Sequence, residues 1–294
     1  MRVALATCDR LPAGDADDAL AAAELAGRGH EVEWWPWDGS GVDWNRFGVV
    51  VVRSTWDYQH RRDEFLEWAS RIAVILNPAE VLAWNTDKSY LAELTAAGLP
   101  VVETAFVPPG AALPEVGTKE PDAERGEVVV KPSVSAGSKD TARFDLSDPA
   151  EAERARDLVA EIHASDRTAM VQPYLTSVDE RGETALLYFG GEFSHAIRKG
   201  PLLRPAEGPT EGFFAPETIE PRTPSAAERE VADRVLAWAG ARFGTPLYAR
   251  VDLILGAAGD PVVLEVELTE PSLFFAHSEG AAARFADALA ERIP

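Results

Sequence analysis

Residues 246–275 read PLYARVDLILGAAGDPVVLEVELTEPSLFF. Two runs of alternating apolar residues flank the turn Gly256–Asp260, which predicts a β-hairpin with strands Leu247–Leu255 and Val262–Glu267. Side chains alternate faces along a strand, so Arg250 and Asp252 share one face while Val251, Leu253 and Leu255 take the other. With Leu255 opposite Val262, Asp252 faces Glu265 and Arg250 faces Glu267, and three carboxylates gather on one side of the sheet. Like charges directly opposed destabilise a sheet, so the cluster calls for a cation. Oxygen donors with no His or Cys nearby favour Mg²⁺ or Mn²⁺ over zinc, which makes Asp252, Glu265 and Glu267 candidate metal ligands. The competing explanation is a solvated polar face on which Arg250 neutralises part of the charge.

The chain has 294 residues, 46% of them hydrophobic and 26% charged, enough for two or three compact units with real cores. A formal net charge of −21 argues against a polyanion-binding surface, so nucleic acid is not an expected partner, although a local basic pocket for one nucleotide is compatible with it. Cys8 is the only cysteine, which excludes an internal disulfide and a thiolate metal cage. The N-terminus MRVALATCDR reads as a strand and no apolar run approaches a membrane span, so a cytoplasmic protein without a membrane partner is expected. Only five lysines, Lys88, Lys119, Lys131, Lys139 and Lys199, stand among many arginines. A chain that meets its general need for positive charge with arginine keeps lysines where a compact ammonium is wanted, as on a phosphate.

Residues 1–85 alternate strand and helix signals: strands Arg2–Thr7, His30–Trp37 and Gly48–Arg53, helices Asp15–Gly27 and Asp63–Ile72. This predicts a small Rossmann-like α/β unit with an open sheet. No Gly-x-Gly-x-x-Gly follows the first strand, so a dinucleotide site has no support. Ligands bind beyond the carboxyl ends of strands in such sheets, and the apolar strand GVVVVRS ends in Arg53, Ser54, Thr55, Trp56, Asp57 and Tyr58. Arg53 offers a two-pronged clamp for a carboxylate, Asp57 a partner for an ammonium, and Trp56 and Tyr58 flat covers, a set suited to an amino-acid-like substrate. The plainer alternative is that Arg53 and Asp57 bridge each other to brace the loop.

Further on, residues 85–90, NTDKSY, open a helix running to Ala97, and the strand EVVVKP (127–132) leads into Ser133, Ser135, Gly137 and Ser138 before a strand Thr141–Phe144. Strand, small-residue turn and strand is the form of a phosphate-covering flap, because backbone N–H groups approach oxygens where no large side chain intervenes. A helix over 149–163, a segment AMVQPYL (169–175) broken by Pro173, and paired strands 183–189 and 192–198 follow. Residues 199–224 read as a long irregular loop, ahead of a helix to Phe243 and, after the hairpin, a closing helix 278–293.

Lys88 at a helix start, Lys131 before the flap, Gln172-Pro173-Tyr174-Leu175, and the Arg250-x-Asp252 … Glu265-x-Glu267 hairpin occur in the order found in ATP-grasp ligases. VVVRSTWDY and LEVELTEPSLFF further resemble the subgroup that includes the O-ureido-serine cyclo-ligase of cycloserine biosynthesis. The resemblance covers residue 75 or so to the end. It implies a pre-ATP-grasp α/β unit at 1–85, a small or lid lobe at 86–172 and a metal-bearing C-terminal lobe at 173–294. It also implies that Lys88, Lys131 and the Ser133–Ser138 flap bind ATP phosphates and that Gln172, Tyr174 and Leu175 meet adenine, with Asp179 or Glu180 at the ribose. Asp252, Glu265 and Glu267 would then hold two Mg²⁺, or Mn²⁺ in their place. Arg250 would stabilise the transferring phosphoryl group; apart from the resemblance, Arg198 and the 199–214 loop are expected to close on the substrate from the side opposite RSTWDY. Most of the superfamily has Asn where this chain has Glu267. The activity implied is ATP-dependent joining of a small amino-acid-like carboxylate to an amine, or ring closure within one molecule, with a homodimer left open. Rivals are a nucleotide-binding scaffold, against which the intact charged set speaks, and a nonspecific phosphatase or kinase.

Overall fold

The computed structural model describes residues 1–113, 126–137, 140–201, 203 and 218–293. Its strands form three sheets. The first is parallel, in the order β2 (Glu31–Pro36), β1 (Arg2–Thr7), β3 (Val49–Val52), β4 (Ile75–Leu76). β3 is four valines, all buried, as expected of a central parallel strand covered on both faces. Helix α1 (Asp18–Gly27) covers one face and α2 (Arg62–Ser70), through Phe65, Trp68 and Ala69, the other.

Two short helices, α3 (Ala79–Asn85) and α4 (Tyr90–Ala96), lead to an antiparallel sheet ordered β5 (Ala105–Val107), β8 (Ala169–Pro173), β6 (Glu127–Pro132), β7 (Ala142–Asp145), backed by α5 (Pro149–Ala164). After α6 (Ser177–Arg181) comes the largest sheet, ordered β11 (Ile219–Arg222), β10 (Glu192–Lys199), β9 (Glu183–Phe189), β12 (Tyr248–Leu255), β13 (Pro261–Glu267). Helix α7 (Ala226–Phe243) opens with a Ser225–Glu228 capping box and packs on one face of this sheet, over Ala249, Val251 and Leu253. α8 (Ala281–Ala290) covers part of the other face.

Helices α3 and α6 and strand β11 were not evident in the sequence. β11 contains Pro221 and lies at the sheet edge, where a missing N–H is tolerated but the residue pattern gives no strand signal. The flap residues Ser138 and Lys139, and most of the 199–224 loop with Arg204, Phe213 and Phe214, lie outside the described residues.

The first sheet and the last share one core: Val3, Leu5, Leu25, Val49 and Val51 pack with Leu187, Phe189, Tyr248, Phe285 and Leu289. Asn77, fully buried, bolts the junction. Its amide donates to the carbonyls of Tyr248 (3.0 Å) and Leu268 (2.7 Å), and its oxygen accepts the Leu247 N–H (2.7 Å). The N-terminal unit is thereby fixed against both strands of the hairpin. Replacing Asn77 with Ala strands buried backbone groups on both sides, so urea unfolding of Asn77→Ala should show a loss of about 3 kcal/mol or more.

Candidate active site

The hairpin sets the geometry. Arg250 pairs with Glu267 and Asp252 with Glu265, but Leu255 lies opposite Pro261, one residue from the partner that simple alternation predicts. The register shifts between Asp252 and Leu253, a bulge that restores the acid pairs despite the different turn. Arg250, Glu265 and Glu267 line a cavity of about 730 Å³ between the two antiparallel sheets, closed on the N-terminal side by Asp15, Asp17, Leu20, Trp56 and Tyr58; Asp252 does not line it but lies buried on the same strand face as Arg250.

None of the three carboxylates is bare. Asp252, 1% exposed, accepts from Arg250 Nε at 2.8 Å and Nη2 at 3.0 Å and from Lys199 Nζ at 2.7 Å. Burial opposes its charge, yet Arg250 and then Lys199 outweigh burial and hold its carboxyl down at about 2. Glu265 meets Lys88 Nζ at 3.2 Å, and Glu267 contacts the Arg250 guanidinium. Glu267 is pushed up to about 7 by burial, because Arg250 is shared with Asp252 and the neighbouring acids add their repulsion. Lys199 also reaches Glu183 at 2.7 Å. Among the described residues, no three His, Cys, Asp or Glu side chains are disposed to hold a metal as they stand. The donor set still fits one: it is all oxygen, and Glu265 and Asp252 are held in part by the ammonium groups of Lys88 and Lys199, which a polyphosphate can take in exchange.

Lys131 is the exception among the cations. It is 9% exposed, lines the cavity at the end of β6, and has no hydrogen-bond or ion-pair partner among the described residues. Burial lowers its pKa despite the field of Glu265. An unpaired buried ammonium facing a cavity is the complement of an anion. The flap lies beside it: Lys88 Nζ donates to the Ser135 carbonyl (2.9 Å) and hydroxyl (3.2 Å), and the Ala136 N–H donates to Gln59 Oε1 (3.0 Å). Ser135 and Gly137 line the cavity, whereas Ser133 is buried behind it, its N–H on the Thr168 carbonyl.

The far wall is apolar, with Val102, Val129, Ile254 and Leu264 beside Gln172, Tyr174 and Leu175. The Tyr174 N–H is committed to the Glu127 carbonyl (2.9 Å), which leaves its carbonyl for a ligand edge. Asp179 accepts the Tyr174 hydroxyl (2.6 Å) and Glu180 is exposed; neither lines the cavity, whereas Glu183, three residues further on, does. Arg198 also lies elsewhere, its Nε on the Arg181 carbonyl (2.8 Å) and its Nη1 by Glu220 (3.7 Å). Strand alternation turns its neighbour Lys199 inward instead.

The RSTWDY loop divides. Trp56 and Tyr58 line the cavity. Arg53 does not: its Nε (3.0 Å) and Nη2 (2.8 Å) clasp Asp18, and Nη2 also donates to the Pro271 carbonyl (2.8 Å). Ser54 Oγ donates to the same Asp18 (2.7 Å), Thr55 is fully buried, and Asp57 accepts the Trp37 indole N–H (2.8 Å). The clamp expected for a substrate carboxylate is therefore a brace between α1, β3 and the segment after β13. Its partner is Asp18, not Asp57.

A family model for the N-terminal domain of the D-cycloserine synthetase DcsG matches residues 3–77. The cycloserine biosynthesis protein DcsG of Streptomyces lavendulae is 42% identical over 270 residues, 87% of each chain. The chain belongs to the DcsG family of ATP-grasp ligases. The crystal structure of D-cycloserine synthetase DcsG superposes over all of both chains with a TM-score of 0.89 at 38% identity. At the level of fold alone, the D-alanine–D-alanine ligase of Bacillus anthracis, solved with ATP, follows at a TM-score of 0.63 and 15% identity over 99% of this chain and 96% of that one. The ATP-grasp ligase PsnB, solved with a precursor, Mg and ADP, gives 0.60 and 18% over 98% and 97%. Membership of the family makes the chain an ATP-dependent ligase.

Lys131→Met separates binding from stability. Methionine fills similar space without a charge, so the variant should unfold at the same or a higher temperature while its KM for ATP rises about tenfold or more. Nucleotide titration and thermal melts of the same preparation check both halves.

Proposed function

We propose that this DcsG-family chain phosphorylates the carboxylate of a small amino-acid-like molecule and that a nitrogen of the same molecule then displaces the phosphate, closing a ring. The observation that carries this is the full-length likeness to a D-cycloserine synthetase at 38% identity, over a cavity whose ionic residues suit a triphosphate. Attack by the amine of a second molecule shares the first half of the reaction and differs only in where the nitrogen comes from.

A carboxylate is a poor acyl donor, and transfer of a phosphoryl group asks the protein for position and charge compensation. Lys131 and Lys88 suit the phosphates, with Ser135, Ala136 and Gly137 over them. The slot between Val129, Ile254 and Leu264 suits the base, beside the Tyr174–Leu175 backbone. As the phosphates draw Lys88 and Lys199 away, Glu265 and Asp252 are released, and with Glu267 they would hold Mg²⁺, one or two ions. Bound Mg²⁺ would screen the phosphate oxygens and favour charge transfer to the leaving diphosphate. Arg250, held by Asp252 and Glu267, presents a guanidinium of raised pKa that stays charged throughout. Trp56, Tyr58, Leu20 and Phe274 enclose the other end, where a small amino acid fits.

A screen of amino acids and their O-ureido derivatives for substrate-dependent ADP release, with mass analysis of products, tests the assignment. O-ureido-serine should release ADP and give a ring-closed product with no added amine. A requirement for a second amine moves the chain to the intermolecular reaction. In the same assay Glu265→Gln keeps shape but loses the charge opposite Asp252, and Mg²⁺-dependent turnover should fall by about two orders of magnitude or more with the fold intact.

A further inference from the structure

The carboxylates lining the cavity are nearly all accounted for. Glu183, Glu265 and Glu267 are ion-paired with Lys199, Lys88 and Arg250. Asp17 holds the N–H groups of Phe275 and Ala276, each at 2.8 Å. Asp15, only partly buried, accepts the Asp17 N–H at 3.2 Å. Glu270 is different. It is 9% exposed, lines the cavity beside Trp56 and Tyr58, and forms no ion pair among the described residues. The neighbour that favours its charged form ahead of Lys88 is the neutral hydroxyl of Tyr58, which lines the cavity with it.

Burying a carboxyl group without a cation is costly, and the fold does not need this one. What the fold uses at this position is backbone: the Trp56 indole donates to the Glu270 carbonyl (3.0 Å) and Arg53 to the next one, of Pro271 (2.8 Å). A glutamine would serve Tyr58 equally well. A phenol has one proton to donate and a carboxylate two oxygens to receive, so one oxygen remains available to whatever enters the cavity. That oxygen belongs to the segment that follows the metal-ligand strand, on the wall formed by the N-terminal loop.

We infer that Glu270 is the base that takes the proton from the attacking nitrogen. This rests on the C–N bond-forming function proposed above. In the step, the nitrogen lone pair forms a bond to the carbonyl carbon of the acyl phosphate. The carbon–oxygen bond to the phosphoryl group breaks, orthophosphate departs with that electron pair, and the proton of the nitrogen passes to the free oxygen of Glu270. The charged and titratable groups around Glu270 are Glu265 and Glu267 from β13, Lys88, Tyr58 and Tyr248. Burial, and then the charge of Glu267, push its carboxyl up to about 8, which suits a group that must accept a proton and release it near neutral pH.

The test is a single-turnover experiment with ATP, Mg²⁺ and O-ureido-serine on wild type, Glu270→Gln and Tyr58→Phe. Acyl phosphate is read as the hydroxamate after a hydroxylamine quench and ring-closed product is read by mass. Glu270→Gln should form acyl phosphate within a few-fold of wild type while ring closure slows by about 10²–10³-fold and loses its rise with pH. In Tyr58→Phe the rise should persist but move to higher pH, because the hydroxyl that favours the carboxylate is gone. Product formation by Glu270→Gln at the wild-type rate, or an equal loss of both half-reactions, overturns the inference. Absence of any substrate-dependent ADP from the wild type overturns the function itself, and the base with it.

Discussion

Charge compensation among closely packed acids is the constraint on which this structure depends. The register of β12 and β13 places Asp252 against Glu265 and Arg250 against Glu267, and a sheet cannot carry that many buried acids uncompensated. Arg250, Lys199 and Lys88 meet the demand with ion pairs, Lys199 to Asp252 at 2.7 Å and Lys88 to Glu265 at 3.2 Å among them. Because two of the three are lysines, whose ammonium groups sit on flexible stems, the compensation is transferable in a way that a rigid guanidinium network is not. Arg250's rigid fork suits it to stay with the sheet, while the flexible stems of Lys88 and Lys199 suit them to a change of partner.

The site is only as firm as its surroundings. The parallel sheet and the antiparallel sheet share a core, Asn77 ties the end of one to both strands of the hairpin, and the buried Arg53–Asp18 pair fixes the segment that carries Glu270 and Ser272. The N-terminal unit is therefore a wall of the cavity as well as a neighbour. Gln59 extends that wall to the flap through Ala136.

Much of this was legible before any coordinates. Period-two alternation exposed β12 and β13, a Gly-Gly turn marked β9 and β10, and the apolar runs of β3 and β6 read as buried strands. The pairing of Arg250 with Glu267 was deduced from the wrong turn partner and holds because a bulge, invisible in the pattern, makes up the difference. What failed did so for a common reason. Arg53 lies 35 residues from Asp18 in the chain, and no local pattern relates them. Arg198 and Lys199 differ by one position on a strand, so an unseen face assignment exchanged an outward residue for the inward one. Lys199 had a signal in the scarcity of lysine, and Glu183, in register with it, had none. Glu270 sits just past the hairpin, where alternation no longer indicates direction.

Lysine scarcity has a chemical side. Of the five lysines in the sequence, Lys88, Lys131 and Lys199 line the one cavity, and Lys131 is held toward its free-amine form. Amines are what an acyl phosphate acylates, so on the function proposed above the chain's own nucleophiles would lie within range of the activated substrate. The ion pairs of Lys88 with Glu265 and of Lys199 with Asp252 and Glu183 are then a form of self-protection, which leaves Lys131 to the anion that enters. It also makes the chain a selective target: an amine-directed reagent finds few sites on an arginine-rich surface, and the extent of its reaction gauges how full the cavity is.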